Sequence, residues 1–306
     1  MNNPPSDIIN DFLSYIGKER NYSQNTLKSY GRDLQRFQAF IQTYSGEPDT
    51  TFGNVDKLAI RHFLGAEFEQ GYSSRTVARR LASLKSFFKY LLRAEEISAN
   101  PTIGIKTPRT PKTLPNYIPE KLIDELMAAP RIDTLNGLCD RAVLELFYST
   151  GMRLSELTGL NIGHVDFNNQ VVKVRGKGNK ERIIPFGPQA RKSLEQFLRE
   201  RGITKYRTEA GQPLFTTKGN RRISIRTIQR RVKKYLQNLT AGTALGPHTL
   251  RHTFATHMLD HGADIRSVKD LLGHSSLSST QVYTHLQPDR MKKIYRQAHP
   301  HGGSSR

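Results

Sequence analysis

In 306 residues the chain carries 47 Lys and Arg against 27 Asp and Glu. The resulting formal charge of +20 favours a polyanionic partner and makes binding salt-sensitive. No stretch approaches ~20 apolar residues and the first ten lack the apolar core of a signal peptide, so no membrane partner is expected. Cys139 is the lone cysteine, which excludes an intrachain disulfide and a cysteine-built metal cluster and suits a reducing cytoplasm.

The length suggests two domains. In the first, apolar residues recur at helical spacing in four runs. Ile8, Ile9, Phe12, Leu13 and Ile16 form one; Leu27, Tyr30, Leu34, Phe37 and Ile41 form a second, opened by Ser23 as an N-cap. Leu58, Phe63, Leu64 and Phe68 suggest a third, and Val77, Leu81, Leu84, Phe88 and Leu91 a fourth, with Arg75, Arg79, Lys85, Lys89 and Arg93 largely on its other faces. A small helical bundle with one basic helix follows, over residues 1–106. Pro101, Pro108, Pro111 and Pro115 then punctuate a basic stretch, because proline lacks a backbone donor and biases its predecessor away from helix. We read 107–117 as an extended linker able to let two lobes grip a duplex.

The second domain, 118–306, is mixed. Helical runs are expected at 119–129 and 136–149, followed by three short strands at 165–167, 171–174 and 182–186 with a turn at Asn168-Asn169 and a glycine-bearing loop at 176–180. From Ala190 onward the pattern reads mainly helical. Residues 224–236 place Ile225, Ile228, Val232 and Leu236 on one face and many Arg and Lys on the others, a candidate for the DNA major groove. The fold class is therefore mainly α with a small antiparallel β-sheet.

Chemistry concentrates in four stretches: GMRLSEL (151–157), RGKGNKER (175–182), HTLRHTFATH (248–257) and LLGHSSLSSTQVYTH (271–285). Arg153 stands near a helix start with Glu156 three residues on, placed to orient it by an ion pair, and free amides there also favour an anion. His248 and Arg251, at i and i+3 after Gly246-Pro247, share a helical face and can address one phosphate. Ser278 and Gln281 form a capping box that starts a helix carrying Tyr283. A phenol with pKa ~10 is ionised in only about one molecule in a thousand at pH 7, so a tyrosine nucleophile needs cations or a base nearby. Lys177, Lys180 and Arg182 all stand where a general acid for an alkoxide leaving group could be, a role worth roughly 10² to 10⁴ in rate. His248/His252 and His257/His261 also have the i, i+4 spacing of a zinc clamp, yet neither first histidine is followed by glutamate, and an arginine between ligands opposes a dication. No metal or other cofactor is expected.

These four stretches resemble the motif set of the tyrosine recombinases, and nearly the whole chain is similar to the Xer-type members, with the terminal YTHLQPDRMKKIYRQAHP nearer the XerC branch than XerD. The resemblance implies a SAM-like core-binding domain followed by an α+β catalytic domain. It implies site-specific DNA cutting and rejoining without metal, with Tyr283 as nucleophile and Arg153, Lys177, His248, Arg251 and His274 completing the catalytic site. It implies a double-stranded recombination site as partner, a tetramer on DNA, and resolution of chromosome or plasmid dimers at cell division in the cytoplasm, at the nucleoid. A second related recombinase and a DNA translocase regulator fit as further partners. A mobile-element or phage-type integrase, and a non-catalytic DNA-binding protein of the same fold, are the alternatives. Met291, Ile294, Tyr295 and Ala298 make a last apolar face, expected to fold back on its own domain; the resemblance implies docking into a neighbouring protomer.

Overall fold

The structure, a computed structural model, describes residues 5–46, 51–110, 117–176, 181–217, 219–239, 245–273 and 287–303, the last from 290 onward in side-chain detail. The chain divides into two compact units, Met1–Thr113 and Leu114–Arg306.

Unit 1 contains α1 (Pro5–Lys18), α2 (Gln24–Ser45), α3 (Lys57–Glu69) and α4 (Ser74–Arg93). Ser23, Asp56 and Ser73 cap α2, α3 and α4 by accepting backbone N–H groups that the first turn leaves without partners. Phe12, Phe37, Phe63, Phe87 and Phe88 fill the centre, mostly edge to face. Two residues expected in this core, Leu58 and Phe68, are 48% and 43% exposed. α3 turns Ala59, Ile60, Phe63 and Leu64 inward instead, and Glu67 takes an interior position that no hydrophobic pattern could show.

Glu67 is interior because arginines meet it there. Arg80 and Arg36 pair with Glu67, Arg79 and Arg80 pair with Asp33, and both Arg36 and Arg80 lie over the Tyr72 ring. Burial raises the Asp33 pKa despite Arg79 and Arg80, and lowers that of Arg80, with Arg36 adding to the effect. The basic surface expected of α4 is thus partly spent internally. Arg79 serves Asp33, Lys85 donates to the Ile105 carbonyl at 2.9 Å, and Arg93 donates to the Tyr15 hydroxyl at 3.0 Å, while Arg75 and Lys89 stay exposed.

In unit 2, α5 (Ile123–Ala128) and the almost wholly buried α6 (Leu135–Thr150) lead into the short α7 (Leu154–Gly159). Strands β1 (Val165–Asp166), β2 (Val171–Arg175) and β3 (Glu181–Pro185) pair antiparallel in that order, with Val172 opposite Ile184 and Val174 opposite Arg182. α8 (Pro188–Glu200), α9 (Ile225–Leu239), α10 (Pro247–Asp260), α11 (Ile265–Leu272) and α12 (Gln287–Ala298) complete the unit. One apolar core runs from Ile118 to Ala298.

Residues 201–224 depart from the expected helical run. Leu214 and Phe215 are buried there, short bridges join Asn161 to Pro213 and Thr216 to Arg222, and Arg201 and Arg222 donate to the carbonyls of Leu214, Thr158 and Leu160. Backbone that pairs with other segments in this way has no use for a helical ladder. α9 buries Ile228, Val232 and Leu236 as expected, but Ile225, at its first residue, is 45% exposed. Arg231 and Tyr235 grip Asp140 of α6, which leaves Arg226, Arg230, Lys233 and Lys234 on the outer face.

Candidate active site

The turn from α6 into α7 is built around Gly151, whose φ of 56° lies in the left-handed region. A Cβ there would come within 2.4 Å of the Phe254 ring and 2.9 Å of Leu272, so the close approach of α10 and α11 requires glycine. Two residues on, Arg153 is the N-cap of α7. Its amide donates to Glu156 Oε2 at 2.7 Å and its guanidinium to Glu156 Oε1 at 3.0 Å. The expected ion pair is present; of the amides at the helix start expected to favour an anion, that of Arg153 is taken by Glu156.

Arg251 reaches the same place from α10. It donates to the Gly151 carbonyl at 2.6 Å and the Leu272 carbonyl at 2.7 Å, while Arg153 donates to the next carbonyl along, that of Gly273, at 2.9 Å. Consecutive carbonyls at the end of α11 therefore hold two guanidiniums side by side. Burial, and after it the neighbouring Arg153 charge, pulls the Arg251 pKa down to about 10, so it is still a cation at neutral pH. The Arg153 side chain is 39% exposed and gives the pair access to solvent. His248, in the first turn of α10 on the face of Arg251, is exposed.

Arg182 was one of three residues suited by position to the acid role. It is buried, donates to both Glu156 oxygens at 2.8 and 2.9 Å, and its Nε donates to the Leu271 carbonyl at 3.1 Å. A guanidinium so fully engaged cannot reach a leaving group. Burial alone would raise the Glu156 pKa, but hydrogen bonds from Arg182 and the Arg153 amide outweigh it and hold the carboxyl below its ordinary value. Lys177, Lys180, His274 and Tyr283, and the capping box at Ser278, lie outside the described residues.

Of the two histidine pairs of the zinc alternative, His257 and His261 are otherwise engaged. His257 is buried with Nδ1 2.9 Å from the Tyr148 hydroxyl, and burial lowers its pKa; His261 meets the His257 carbonyl at 2.8 Å and Glu120 at 3.5 Å.

A cluster that sequence patterning hardly reveals holds the last described residues. α12 packs on its own unit, with Tyr295 and Ala298 buried and Met291 and Ile294 against the core. The Tyr295 hydroxyl meets Ser149 Oγ at 2.5 Å and His299 Nδ1 at 3.2 Å, and Ser149 Oγ accepts from the Gly187 amide at 2.8 Å. His301 lies 3.4 Å from the buried Glu145. The only signal in the sequence was the closeness of His299 and His301 to an apolar helix end.

Residues 116–290 match the model of the phage integrase family, and residues 9–95 match that of the phage integrase N-terminal SAM-like domain. The tyrosine recombinase XerC of Syntrophus aciditrophicus is 40% identical over 302 residues, covering 96% of this chain and 97% of the relative. The tyrosine recombinase XerD of Pseudomonas aeruginosa is 39% identical over 295 residues, covering 96% and 98%. Among solved structures, the XerH site-specific recombinase bound to a palindromic difH substrate superposes with a TM-score of 0.70 at 20% identity, covering 96% of each chain. A lambda integrase tetramer bound to a Holliday junction gives 0.66 at 15%, covering 90% of this chain and 79% of that one. At these identities the structural likeness speaks for the fold.

Proposed function

The chain belongs to the phage integrase family, as a tyrosine recombinase, and we propose on that premise that it is a site-specific recombinase of the Xer type. The observation that carries this reading is the meeting of Arg153 and Arg251 on the consecutive carbonyls of Gly273 and Leu272, directly before His274 in the chain. Two planar forks suit the non-bridging oxygens of one phosphate and strengthen their hold as negative charge grows on a pentacoordinate phosphorus.

In this reading the Tyr283 hydroxyl oxygen attacks phosphorus in line, losing its proton to a nearby base. The bond from phosphorus to the 5′ oxygen breaks, Lys177 supplies the proton that oxygen takes, and a 3′-phosphotyrosyl bond forms. Its energy is that of the broken linkage, so a 5′ hydroxyl from a partner duplex reverses the step without nucleotide or metal. His248 and His274 orient the phosphate and share the proton traffic. Each protomer brings one tyrosine and two duplexes exchange four strands, so a tetramer on paired sites follows.

Residues 1–106 act as the DNA clamp, 107–117 as the strap and 118–306 as the catalytic domain, with the outer face of α9 toward DNA. The biological role is resolution of chromosome or plasmid dimers at division, at the nucleoid, with a second related recombinase and a translocase as regulatory partners. Incubation with sheared genomic DNA, denaturation and sequencing of what stays attached to protein tests the chemistry. Wild-type protein should retain a defined site at a 3′ end. Tyr283→Phe should bind the same DNA and retain none, and a retained adduct in that variant refutes the assignment.

A further inference from the structure

We infer that Arg182 is a positioning residue for the phosphate-holding arginine pair, acting through Glu156. The inference rests on the recombinase reading and goes beyond it, because the fork of Arg182 faces protein on every side. Its two terminal nitrogens hold both Glu156 oxygens, and its Nε holds the Leu271 carbonyl. Glu156 in turn holds the Arg153 guanidinium, and Arg153 holds the Gly273 carbonyl two residues beyond Leu271. These contacts close a ring through β3, α7 and the end of α11, and Arg153 occupies the corner open to solvent.

Two features mark the ring as more than a stray ion pair. Gly273, at φ 68°, passes so close that a Cβ there would stand 2.9 to 3.0 Å from three atoms of the Arg182 guanidinium, so the backbone is shaped to admit it. The charge balance is the second feature. Among the described residues, Glu156 is the carboxylate that Arg153 and Arg182 share, with the Arg251 charge close by, and because Arg182 occupies both its oxygens, Glu156 orients Arg153 without cancelling its charge. Without Arg182, Glu156 would turn wholly to Arg153, drawing that fork away from an incoming phosphate.

The test uses full-length protein on a nicked duplex carrying the genomic site captured covalently by the wild type. DNA affinity and single-turnover cleavage are measured separately. Arg182→Lys keeps the charge without the fork, and Arg182→Gln removes both. Affinity should stay within about twofold, while cleavage slows about tenfold in the first and about a hundredfold in the second. In an Arg153→Lys background, Arg182→Lys should cost no more than about threefold further, because both changes break one path. Wild-type cleavage in Arg182→Lys, or a double variant whose losses multiply in full, overturns the inference. If Arg182→Gln fails to fold, the lysine pair still decides. If wild-type protein captures no DNA, the recombinase reading fails and the inference falls with it.

Discussion

Each unit buries an arginine–carboxylate cluster, and the two are balanced differently. In unit 1, Arg36, Arg79 and Arg80 face two carboxylates, Asp33 and Glu67, and Tyr72 lies under two of the guanidiniums. In unit 2, among the described residues, Arg153 and Arg182 pair with one carboxylate, Glu156, while backbone carbonyls accept from Arg153, Arg182 and the neighbouring Arg251. Neutral carbonyls can aim a cation without discharging it. The first cluster is organised for holding helices together, and the second retains a surplus of positive charge at a solvent-facing point. A buried charge cluster is therefore read by its acceptors: carboxylates point to scaffolding, carbonyls to a charge kept for an external anion.

That contrast can be broken in several ways. The largest effect is expected from Glu67→Ala, which leaves the buried Arg80 with only its longer contact to Asp33 and should cost unit 1 about 3 to 5 kcal/mol. A melting curve followed with calorimetry checks it, and cleavage per folded, DNA-bound molecule should stay unchanged. On the proposed mechanism Arg251→Gln should do the reverse, slowing cleavage roughly 10² to 10³-fold with melting little altered, since in that reading it removes a donor aimed at developing charge. Comparable losses of stability in both variants would erase the distinction between the clusters.

Smaller still is Tyr295→Phe. It takes a buried partner from Ser149 and His299 and should cost about 1 to 3 kcal/mol, read as faster amide exchange in α12 before the rest of unit 2 opens. Acidification gives the finest test. Glu156 is held below its ordinary 4.5, so its contribution is present above pH 4.5 and is lost as pH falls toward the folded value. Asp33 is raised above 3.8, so the folded state takes up its proton first and that contribution grows as pH falls. Amide exchange between pH 5 and 3, by order of magnitude from the ordinary carboxylate range, should loosen α7 before α4. Glu156→Gln and Asp33→Asn should each flatten their own unit's response.

The sequence discloses what periodicity and capping encode. Ser23 caps α2 as expected, the β2–β3 pairing falls on the expected strands, and Arg153 and Arg251 converge. What it hides is polar burial. Glu67 and Arg80 look like surface residues because their pairing depends on partners far along the chain, and the same holds for Arg182, which the sequence leaves among candidate acids. Residues 201–224 mislead for a related reason: Pro213 and Arg222 are tied to the distant segment 158–161, while Arg201 to Leu214 and Thr216 to Arg222 close on non-helical spacings, and local propensity carries no record of either.

Gly151 and Gly273 carry no reactive atom, yet each has a left-handed backbone and a neighbour where a methyl group would sit: the Phe254 ring for one, the Arg182 guanidinium for the other. In a saturation library selected for recombination, these two positions should be depleted as deeply as the arginines. A survey seeking function by side-chain chemistry alone would pass over both.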